Sequence, residues 1–395
     1  MSIFDVAASS LFVTVSSQRA QMENIAQRVL SNALELFVAK KYDEAITGFK
    51  QAVGLAPQSN TAINAYDYMA RTYYQQGDTA GAVNAYEQAI KIDPSRADTY
   101  MALGNLQITL EEPDKAVKAY EKAVSLDPSG VNRYSLGQAY METSRFSEAI
   151  QQFALVRDQE PGKPNGWYGM GLAYARQGQT SDAIDAFERA LAIQPDFSYA
   201  KAELGYLMTD IGERDQASQI AAELQTTASD LADTLSQYIF EKTPAEMVSV
   251  LPTGTFPKVL GPRTQVSALS SYLSSAGAQQ TFSMIFRFNK PMDAESVENI
   301  LNWSITRSTD TGRADGYNFG FTVPETEVNL QRFPSSVTYD PTLYSATVLF
   351  TISQNETADG TLDPSHIKFA FNGTDSGGLA ISSEADEYTG FSGFA

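Results

Sequence analysis

The first half of the chain carries an apolar pattern that recurs about every 34 residues. In each copy a small residue, a large aromatic and a second small apolar residue, spaced by four and then three positions, precede a proline. Such spacings place side chains on one face of a helix, and proline ends a helix because it lacks the N–H donor. The pattern therefore predicts five short helices with the same buried face. The five sets are Ala45, Phe49, Ala52 and Pro57; Ala82, Tyr86, Ala89 and Pro94; Ala116, Tyr120, Ala123 and Pro128; Ala149, Phe153, Val156 and Pro161; and Ala183, Phe187, Ala190 and Pro195.

A further helix is predicted before each of these, marked in three copies by an apolar residue followed by glycine. The three pairs are Leu103-Gly104, Leu136-Gly137 and Met170-Gly171. Taken with the first pattern, they resemble the tetratricopeptide (TPR) repeat over residues 25–224. The resemblance implies an all-α TPR superhelix of stacked helical hairpins, with five clear repeats and a capping region within residues 26–250. It also implies a role in protein–protein interaction.

A sixth copy of the pattern is incomplete. Leu204, Gly205 and Ala217 match, but Ala221 stands where an aromatic is expected. A terminal repeat must present a polar outer face to water. We therefore predict that a helix from Ala221 to Tyr238 caps the array.

The apolar period changes to two beyond residues 252–262, which are rich in proline and glycine. We therefore place a domain boundary between residues 250 and 251. A period of two predicts strands with one buried face. The inward positions are Phe282, Met284, Phe286 and Phe288; Tyr344, Ala346, Val348, Phe350 and Ile352; and Ile367, Phe369 and Phe371.

Three short motifs accompany these strands. Residues 288–293 read Phe-Asn-Lys-Pro-Met-Asp, residues 337–340 read Val-Thr-Tyr-Asp, and residues 373–377 read Gly-Thr-Asp-Ser-Gly. They resemble motifs of the bacterial Ig-like domain of S-layer and other surface proteins, the third in a shortened form. The resemblance implies an all-β Ig-like sandwich over residues 251–395. The alternative of a β fold with no surface role stays open.

The first 25 residues predict a separate amphipathic helix, because apolar residues alternate at spacings of four and three. Either it packs on the first repeat, or it mediates self-association in an assembly. Residues 18–26, Gln-Arg-Ala-Gln-Met-Glu-Asn-Ile-Ala, resemble the N-terminal helix of flagellar rod and hook proteins, which implies the second interpretation. The candidate assembly residues are Phe4, Ala8, Leu11, Val15, Met22 and Ile25.

Composition narrows the range of functions. The chain has 395 residues, a net charge of −19 and no cysteine. An acidic chain without a basic stripe is unsuited to nucleic acid, so we expect no nucleic-acid partner. No apolar run reaches the roughly 18 residues that span a bilayer, and the N-terminus lacks the pattern of a secretory signal, so we expect neither membrane insertion nor conventional export.

Candidate catalytic and metal-binding residues are few. The single histidine, His366, falls on the polar side of a predicted strand, so we expect it to be exposed. The pairs Asp310 with Asp315 and Asp359 with Asp363 could ligate calcium, but they lack the alternation of an EF-hand loop. We therefore expect no catalytic residues, no enzyme activity, no cofactor and no small-molecule substrate, and leave a loop calcium ion open.

The repeat register also predicts a partner-binding groove, because the first helix of each hairpin faces inward. Its residues are aromatic and amide-rich, which suits a segment of another protein. The alternative, that these side chains pack within their own repeats, stays open. The candidate groove residues are Asp67, Arg71 and Tyr74; Met101, Asn105 and Ile108; Tyr134, Gln138 and Met141; and Tyr168 and Leu172.

These observations favour a non-enzymatic interaction and assembly protein with protein partners, including copies of itself. The Ig-like and flagellar resemblances imply a structural component of a bacterial surface structure or appendage, located extracellularly or at the cell surface. The alternative is an intracellular TPR adaptor that recruits a protein partner.

Overall fold

The computed structural model describes residues 3–309, 316–390 and 393–394, with side-chain detail from residue 16 onward except at residue 394. The chain divides into two compact units, Met1–Leu235 and Ser236–Ala395. The first unit is helical and the second is rich in strands. An α-helical array followed by a β-rich region is therefore confirmed.

Twelve helices in the described part of the first unit form six consecutive pairs. A thirteenth helix, α13, begins in this unit and ends in the second. The helices are α1 Ile3–Val38, α2 Tyr42–Leu55, α3 Asn60–Gln75, α4 Thr79–Ile92, α5 Ala97–Thr109, α6 Pro113–Leu126, α7 Gly130–Glu142, α8 Phe146–Gln159, α9 Asn165–Arg176, α10 Thr180–Ile193, α11 Ser198–Asp210, α12 Arg214–Leu224 and α13 Ser229–Lys242.

Glycines on the first helix of a pair make room for the aromatic ring of the second. A Cβ built on Gly137 would lie 2.6 Å from Phe153 Cε1, and one built on Gly169 in the next pair would lie 2.5 Å from Phe153 Cδ1. Phe153 is 1% exposed, so its ring fills the space between two successive hairpins. Gly104 with Tyr120 repeats the first of these approaches. The glycines and aromatics of the repeat pattern therefore pack against each other where helices meet.

The end of the array differs from the prediction. The helix expected from Ala221 to Tyr238 is two helices, because α12 ends at Leu224 and α13 begins at Ser229. β-Branched Thr226 and Thr227 occupy the break, and such residues are weak helix formers. The break lets α13 turn back so that Leu235, fully buried, fills the space above Gly205 that an aromatic fills in other pairs.

Among its described residues, the second unit contains two four-stranded antiparallel sheets, with strand orders β1-β3-β6-β5 and β10-β9-β8-β4, and a two-stranded sheet of β2 and β7. A short helix, α14 (Ala294–Glu298), follows β3. The strands are β1 Met247–Val250, β2 Thr264–Gln265, β3 Gln279–Phe288, β4 Trp303–Arg307, β5 Ser336–Asp340, β6 Ser345–Ser353, β7 Thr361–Leu362, β8 Ile367–Phe371, β9 Glu387–Thr389 and β10 Gly393–Phe394.

Aromatic side chains of the two larger sheets meet in one core. The ring of Phe369 on β8 lies 5.5 Å from Phe286 on β3 and 5.3 Å from Phe350 on β6, centroid to centroid. The alternation predicted for β3, β6 and β8 is confirmed, since their inward residues are buried. Tyr344 is the exception, because it precedes β6 and packs only partly buried against the core.

Two predicted boundaries do not coincide with element ends. Helix α1 runs without a break through residues 25 and 26, so the predicted N-terminal segment and the first repeat share one helix. In the second unit β1 begins at Met247, before the predicted boundary at residue 251.

The expectation of an exposed His366 is wrong. The side chain is fully buried, because residues 364–366 form a 3₁₀ turn that ends before β8 begins at Ile367. The period of two that marks β8 in the sequence includes His366, but the strand itself begins one residue later.

Candidate functional site

The predicted groove residues lie on the first helices of successive pairs. Asp67, Arg71 and Tyr74 are on α3, and the equivalent positions of α5, α7 and α9 carry the others. Arg71, Tyr74, Asn105 and Gln138 are exposed and the remaining seven are half-buried. The surface is accessible over its whole predicted length.

A hollow of about 470 Å³ gathers the predicted residues of α5, α7 and α9. Tyr120 and Phe153 form its floor, and Glu142 and Arg176 bring one charge of each sign to its wall. The predicted residues in its lining are Asn105, Ile108, Tyr134, Gln138, Met141 and Leu172.

A second hollow of about 350 Å³ begins where the first ends, because Asn105 lines both. Arg71 and Tyr74 line it, together with Phe37 of α1. Phe37 was missed by the sequence analysis, although it occupies in the first repeat the place that Tyr74 occupies in the second. We call the combined surface of the two hollows the inner-face groove. It is lined by eight of the predicted residues, namely Arg71, Tyr74, Asn105, Ile108, Tyr134, Gln138, Met141 and Leu172.

Asp67 lies outside both hollows and joins two repeats. Thr99 Oγ1 of α5 donates to Asp67 Oδ1 at 3.4 Å, and Arg96 lies 3.8 Å from Asp67 Oδ2. Burial raises the pKa of Asp67, and the positive charge of Arg96 offsets part of that rise. The alternative of packing within the array therefore fits Asp67. Met101 and Tyr168 also lie outside the two hollows.

Several groove residues contact the array with one face and the groove with the other. Tyr120 Oη donates to Asn105 Oδ1 at 2.6 Å, and burial raises the pKa of Tyr120 to about 12. The ring of Tyr134 packs 5.2 Å from Phe153. These contacts hold the groove side chains in place before any partner arrives. Arg71 also packs on the array, with its guanidinium 5.3 Å from the ring of Tyr68.

The predicted assembly residues are only partly within the described side chains. Phe4, Ala8, Leu11 and Val15 lie outside them, although their backbone belongs to α1. Met22 is 44% exposed and Ile25 is half-buried. Met22 lines a hollow of about 890 Å³ together with residues 55–60. The described part of α1 therefore leaves an apolar side chain open to contact near its start.

The three motifs noted in the second half meet in space. Lys290 Nζ lies 2.5 Å from Asp375 Oδ2, and both side chains are buried. Met292 N donates to the hydroxyl of Tyr339 at 2.9 Å, and Asp293 N donates to the carbonyl of Thr374 at 3.1 Å. Three residues of the first motif, just before α14, thus contact one residue of the edge strand β5 and two residues of the loop after β8. Lys290 Nζ also donates to the Thr243 carbonyl at 2.7 Å.

The buried histidine belongs to a hydrogen-bonded cluster. His366 Nδ1 lies 2.8 Å from Asp363 Oδ2 and 3.0 Å from Ser365 Oγ. Asp363 Oδ2 also accepts from the backbone N of Asn318 at 2.7 Å. A nucleophilic triad needs the serine on one ring nitrogen and the carboxylate on the other. Both contacts use Nδ1, so the side chains of Asp363, Ser365 and His366 are not arranged as a triad.

Metal-ligating groups do not gather within the described ranges. No cluster of three or more histidine, aspartate or glutamate side chains there could hold an ion. Asp359 is paired with Asn355, since Asn355 Nδ2 donates to Asp359 Oδ1 at 2.9 Å and Asp359 N donates to Asn355 Oδ1 at 3.1 Å. Asp310 and Asp315 lie outside the described residues. Searched over those same ranges, no helix has the length and apolarity needed to cross a membrane.

Four family models match the helical region. One described as TPR repeat matches residues 70–111, and three described as tetratricopeptide repeat match residues 97–129, 134–196 and 174–235. The chain therefore carries tetratricopeptide repeats. These matches lie entirely in the first unit.

Curated relatives match about half of the chain. Superkiller protein 3 of Schizosaccharomyces pombe is 23% identical over 209 residues, which is 51% of this chain and 14% of that protein. Protein FlbA of Caulobacter vibrioides is 27% identical over 189 residues, 48% of this chain and 31% of that protein. This chain thus spans less than a third of either relative.

Solved structures resemble parts of the chain. YrrB, described as a TPR protein with an unusual peptide-binding site, is 25% identical and has a TM-score of 0.37, covering 44% of this chain and 88% of its own. PilW, described as a type IV pilus biogenesis factor, is 18% identical with a TM-score of 0.43, covering 54% of this chain and 98% of its own.

Proposed function

We propose that this protein binds a segment of another protein in the inner-face groove and has no enzymatic role. The observation that carries the proposal is that two hollows on successive tetratricopeptide repeats join at Asn105 and are lined by aromatic, amide and aliphatic side chains. A row of such sites suits an extended or helical segment whose side chains enter one hollow after another. Tyrosine and methionine are typical of the core of protein interfaces.

The groove is preorganised for binding. Tyr134 rests on Phe153 and Asn105 is held by Tyr120, so these side chains lose little rotamer freedom when a partner arrives. Tyr74 and Gln138 are exposed, and no described hydrogen bond or ion pair engages their side chains. They are therefore the groove residues whose removal should affect a partner more than the fold.

The experiment is a selection of random peptides displayed on phage against the full chain. We expect enriched peptides whose affinity falls at least tenfold for Tyr74→Ala combined with Gln138→Ala. The control is Tyr272→Ala, which removes a 78% exposed tyrosine from the second unit. Failure to enrich any peptide, or equal binding by the folded double variant, would remove the groove from consideration.

We propose further that α1 mediates self-association through Phe4, Ala8, Leu11, Val15, Met22 and Ile25. The support is the alternating apolar spacing and the exposure of Met22. Deleting residues 1–18 should lower the molar mass measured by light scattering at micromolar concentration. An unchanged mass would count against an assembly role for this helix.

We propose that the β-rich unit is an Ig-like module displayed at a bacterial surface, in an appendage to which the repeats contribute protein contacts. The support is the resemblance of the three motifs and the way Lys290 with Asp375 and Met292 with Tyr339 join them. Cell fractionation with an antibody against the native protein tests the location. Recovery with the cytoplasmic fraction alone would favour the intracellular adaptor.

A further inference from the structure

A single carboxylate of interest lies on α11, the first helix of the pair that follows α9 and α10. Glu203 is half-buried, and its carboxylate makes no hydrogen bond or ion pair with the described residues. Burial raises the pKa of Glu203, and the positive charge of Arg176 offsets only part of that rise. A charge that loses water without gaining a partner costs free energy in the folded chain. Such a residue on a surface that faces a groove indicates a ligand of opposite charge.

Tyrosine side chains lie in the neighbourhood of this carboxylate. Tyr199 lies four residues before Glu203 on the same helix, so the two share a face, and it is 62% exposed. Tyr168 of α9 packs 4.9 Å from Phe197, the residue that precedes α11. Burial, followed by the negative charge of Glu203, raises the pKa of Tyr168 to about 12. Tyr134 occupies on α7 the place that Tyr168 occupies on α9.

We propose that the surface beyond the groove, at α11, accepts a lysine or arginine side chain of the bound segment, with Glu203 as its ion-pair partner and the rings of Tyr134, Tyr168 and Tyr199 nearby. The inference rests on the proposed function and adds the chemistry of the ligand. A cation is attracted to the negative face of an aromatic ring, and most strongly where water is partly excluded. An acidic or phosphorylated segment would be repelled by Glu203.

The charge of the whole unit favours the same partner. Acidic residues outnumber basic ones in residues 1–235, so a basic segment is attracted from a distance as well as in contact. Arg176 is the basic side chain that faces Glu203 from the neighbouring helix. It is exposed, so it remains hydrated, and its charge offsets only part of the effect of burial on Glu203.

The test uses the peptides selected on the full chain. We expect them to be enriched in lysine and arginine over the naive library. For a synthetic peptide of the enriched sequence, Glu203→Gln should weaken binding about tenfold, which is the scale of one charge-assisted contact. The matched control is Glu188→Gln, which removes the same charge from an exposed site on α10. Replacing the basic residue of the peptide by glutamine should weaken binding to the wild-type chain equally.

The outcomes separate this inference from the proposed function. Peptides that bind the groove without basic enrichment, or that bind Glu203→Gln as tightly as wild type, overturn the cation site and leave the groove intact. Absence of any bound peptide overturns both. If Glu203→Gln lost its helical circular dichroism, the glutamine-substituted peptide on the wild-type chain would still decide the question. A purely structural Glu203 would instead lower the thermal midpoint of the variant.

Discussion

The turn inside each helical hairpin offers a sharp test of how the sequence stabilises the array. Each pair is joined through one residue in the left-handed region, and that residue donates its N–H to the helix it follows. Three of the six turns use glycine there and three do not. The glycines are Gly77, Gly178 and Gly212, with φ of 80°, 75° and 88°; the others are Lys40, Glu111 and Ser144, with φ of 58°, 57° and 58°.

The hydrogen bonds of the two kinds of turn are the same. Glu111 N donates to the Ile108 carbonyl at 2.9 Å, and Gly77 N donates to the Tyr74 carbonyl at 3.0 Å. In both turns the next residue donates to a carbonyl five residues back, as in a Schellman motif. The two kinds of turn therefore differ mainly in whether the residue in the left-handed conformation carries a Cβ.

The magnitude follows from two opposing terms. A left-handed conformation costs a non-glycine residue at least about 1 kcal/mol, and ordering a glycine costs about 0.5 kcal/mol more than ordering alanine. Glu111 is exposed, and its side chain makes no hydrogen bond or ion pair with the described residues, so no contact is lost. We expect Glu111→Gly to stabilise the array by about 0.5–1 kcal/mol, and Lys40→Gly and Ser144→Gly to do the same.

Circular dichroism at 222 nm during thermal unfolding follows the helices. A gain of this size should raise the midpoint by about 1–4 °C for a unit of this length. The reciprocal control is Gly77→Ala, which should lower the midpoint although nothing lies within 4 Å of the new Cβ. A lower midpoint for Glu111→Gly, or an unchanged one for Gly77→Ala, would refute the reasoning.

Three further changes probe packing and charge. Gly137→Ala places a methyl 2.6 Å from the buried ring of Phe153 and should cost about 1–3 kcal/mol in urea unfolding; a neutral effect would mean that the ring can move aside. Lys290→Met leaves Asp375 buried without its charge partner and should cost about 3–5 kcal/mol, followed by the fluorescence of Trp303; a smaller loss would place the pair in contact with water. Burial raises the folded pKa of Glu203, so its contribution to stability is present below the unfolded pKa of about 4.3 and is lost as the pH rises through the folded value. Glu203→Gln should therefore stabilise the array more at pH 7.5 than at pH 4, and an equal effect at both would contradict the assignment.

The helical half could be predicted from sequence because its pattern is local and repeated. Each hairpin has the same spacing of small and aromatic residues. A helix assignment that is ambiguous in one copy is therefore settled by comparison with the other copies. The last copy lacked that support. Ala221 showed that the aromatic of the pattern is absent from this copy. Nothing in the local pattern identified Leu235 as the side chain that fills the space next to Gly205.

The strand-rich half was predictable in its periods and less so in its turns. His366 continues the alternation of β8 in the sequence, yet residues 364–366 form a 3₁₀ turn that buries His366 beside Asp363. A period of two in the sequence cannot distinguish the first residue of a strand from the last residue of a turn that precedes it. The contact between Lys290 and Asp375 joins distant parts of the chain and could be seen only in three dimensions.

In the groove, the helix on which a residue lies was easier to predict than whether its side chain is free to contact a partner. Asp67 and Asn105 lie on the first helices of their pairs, but Asp67 is held by Thr99 of the next repeat and Asn105 by Tyr120 of its own. Both contacts depend on how two helices pack, which the spacing of one helix does not state. Glu203 was overlooked for the opposite reason, since its lack of a partner becomes visible only when its surroundings are known.

Packing and binding are therefore coupled in this array. The rings of Tyr134 and Tyr168 rest on Phe153 and Phe187, at 5.2 and 5.9 Å, so the same core that stabilises each hairpin holds the ring that would meet a partner. Truncating such a ring weakens both the packing of the hairpin and the contact with the partner. A loss of binding would then reflect damage to the fold as much as loss of the contact. Glu203 differs, because removing its charge should stabilise the free chain and weaken a basic ligand. If Glu203→Gln raised the stability of the free chain and lowered its affinity for a basic peptide, the effect on binding could not be explained by damage to the fold.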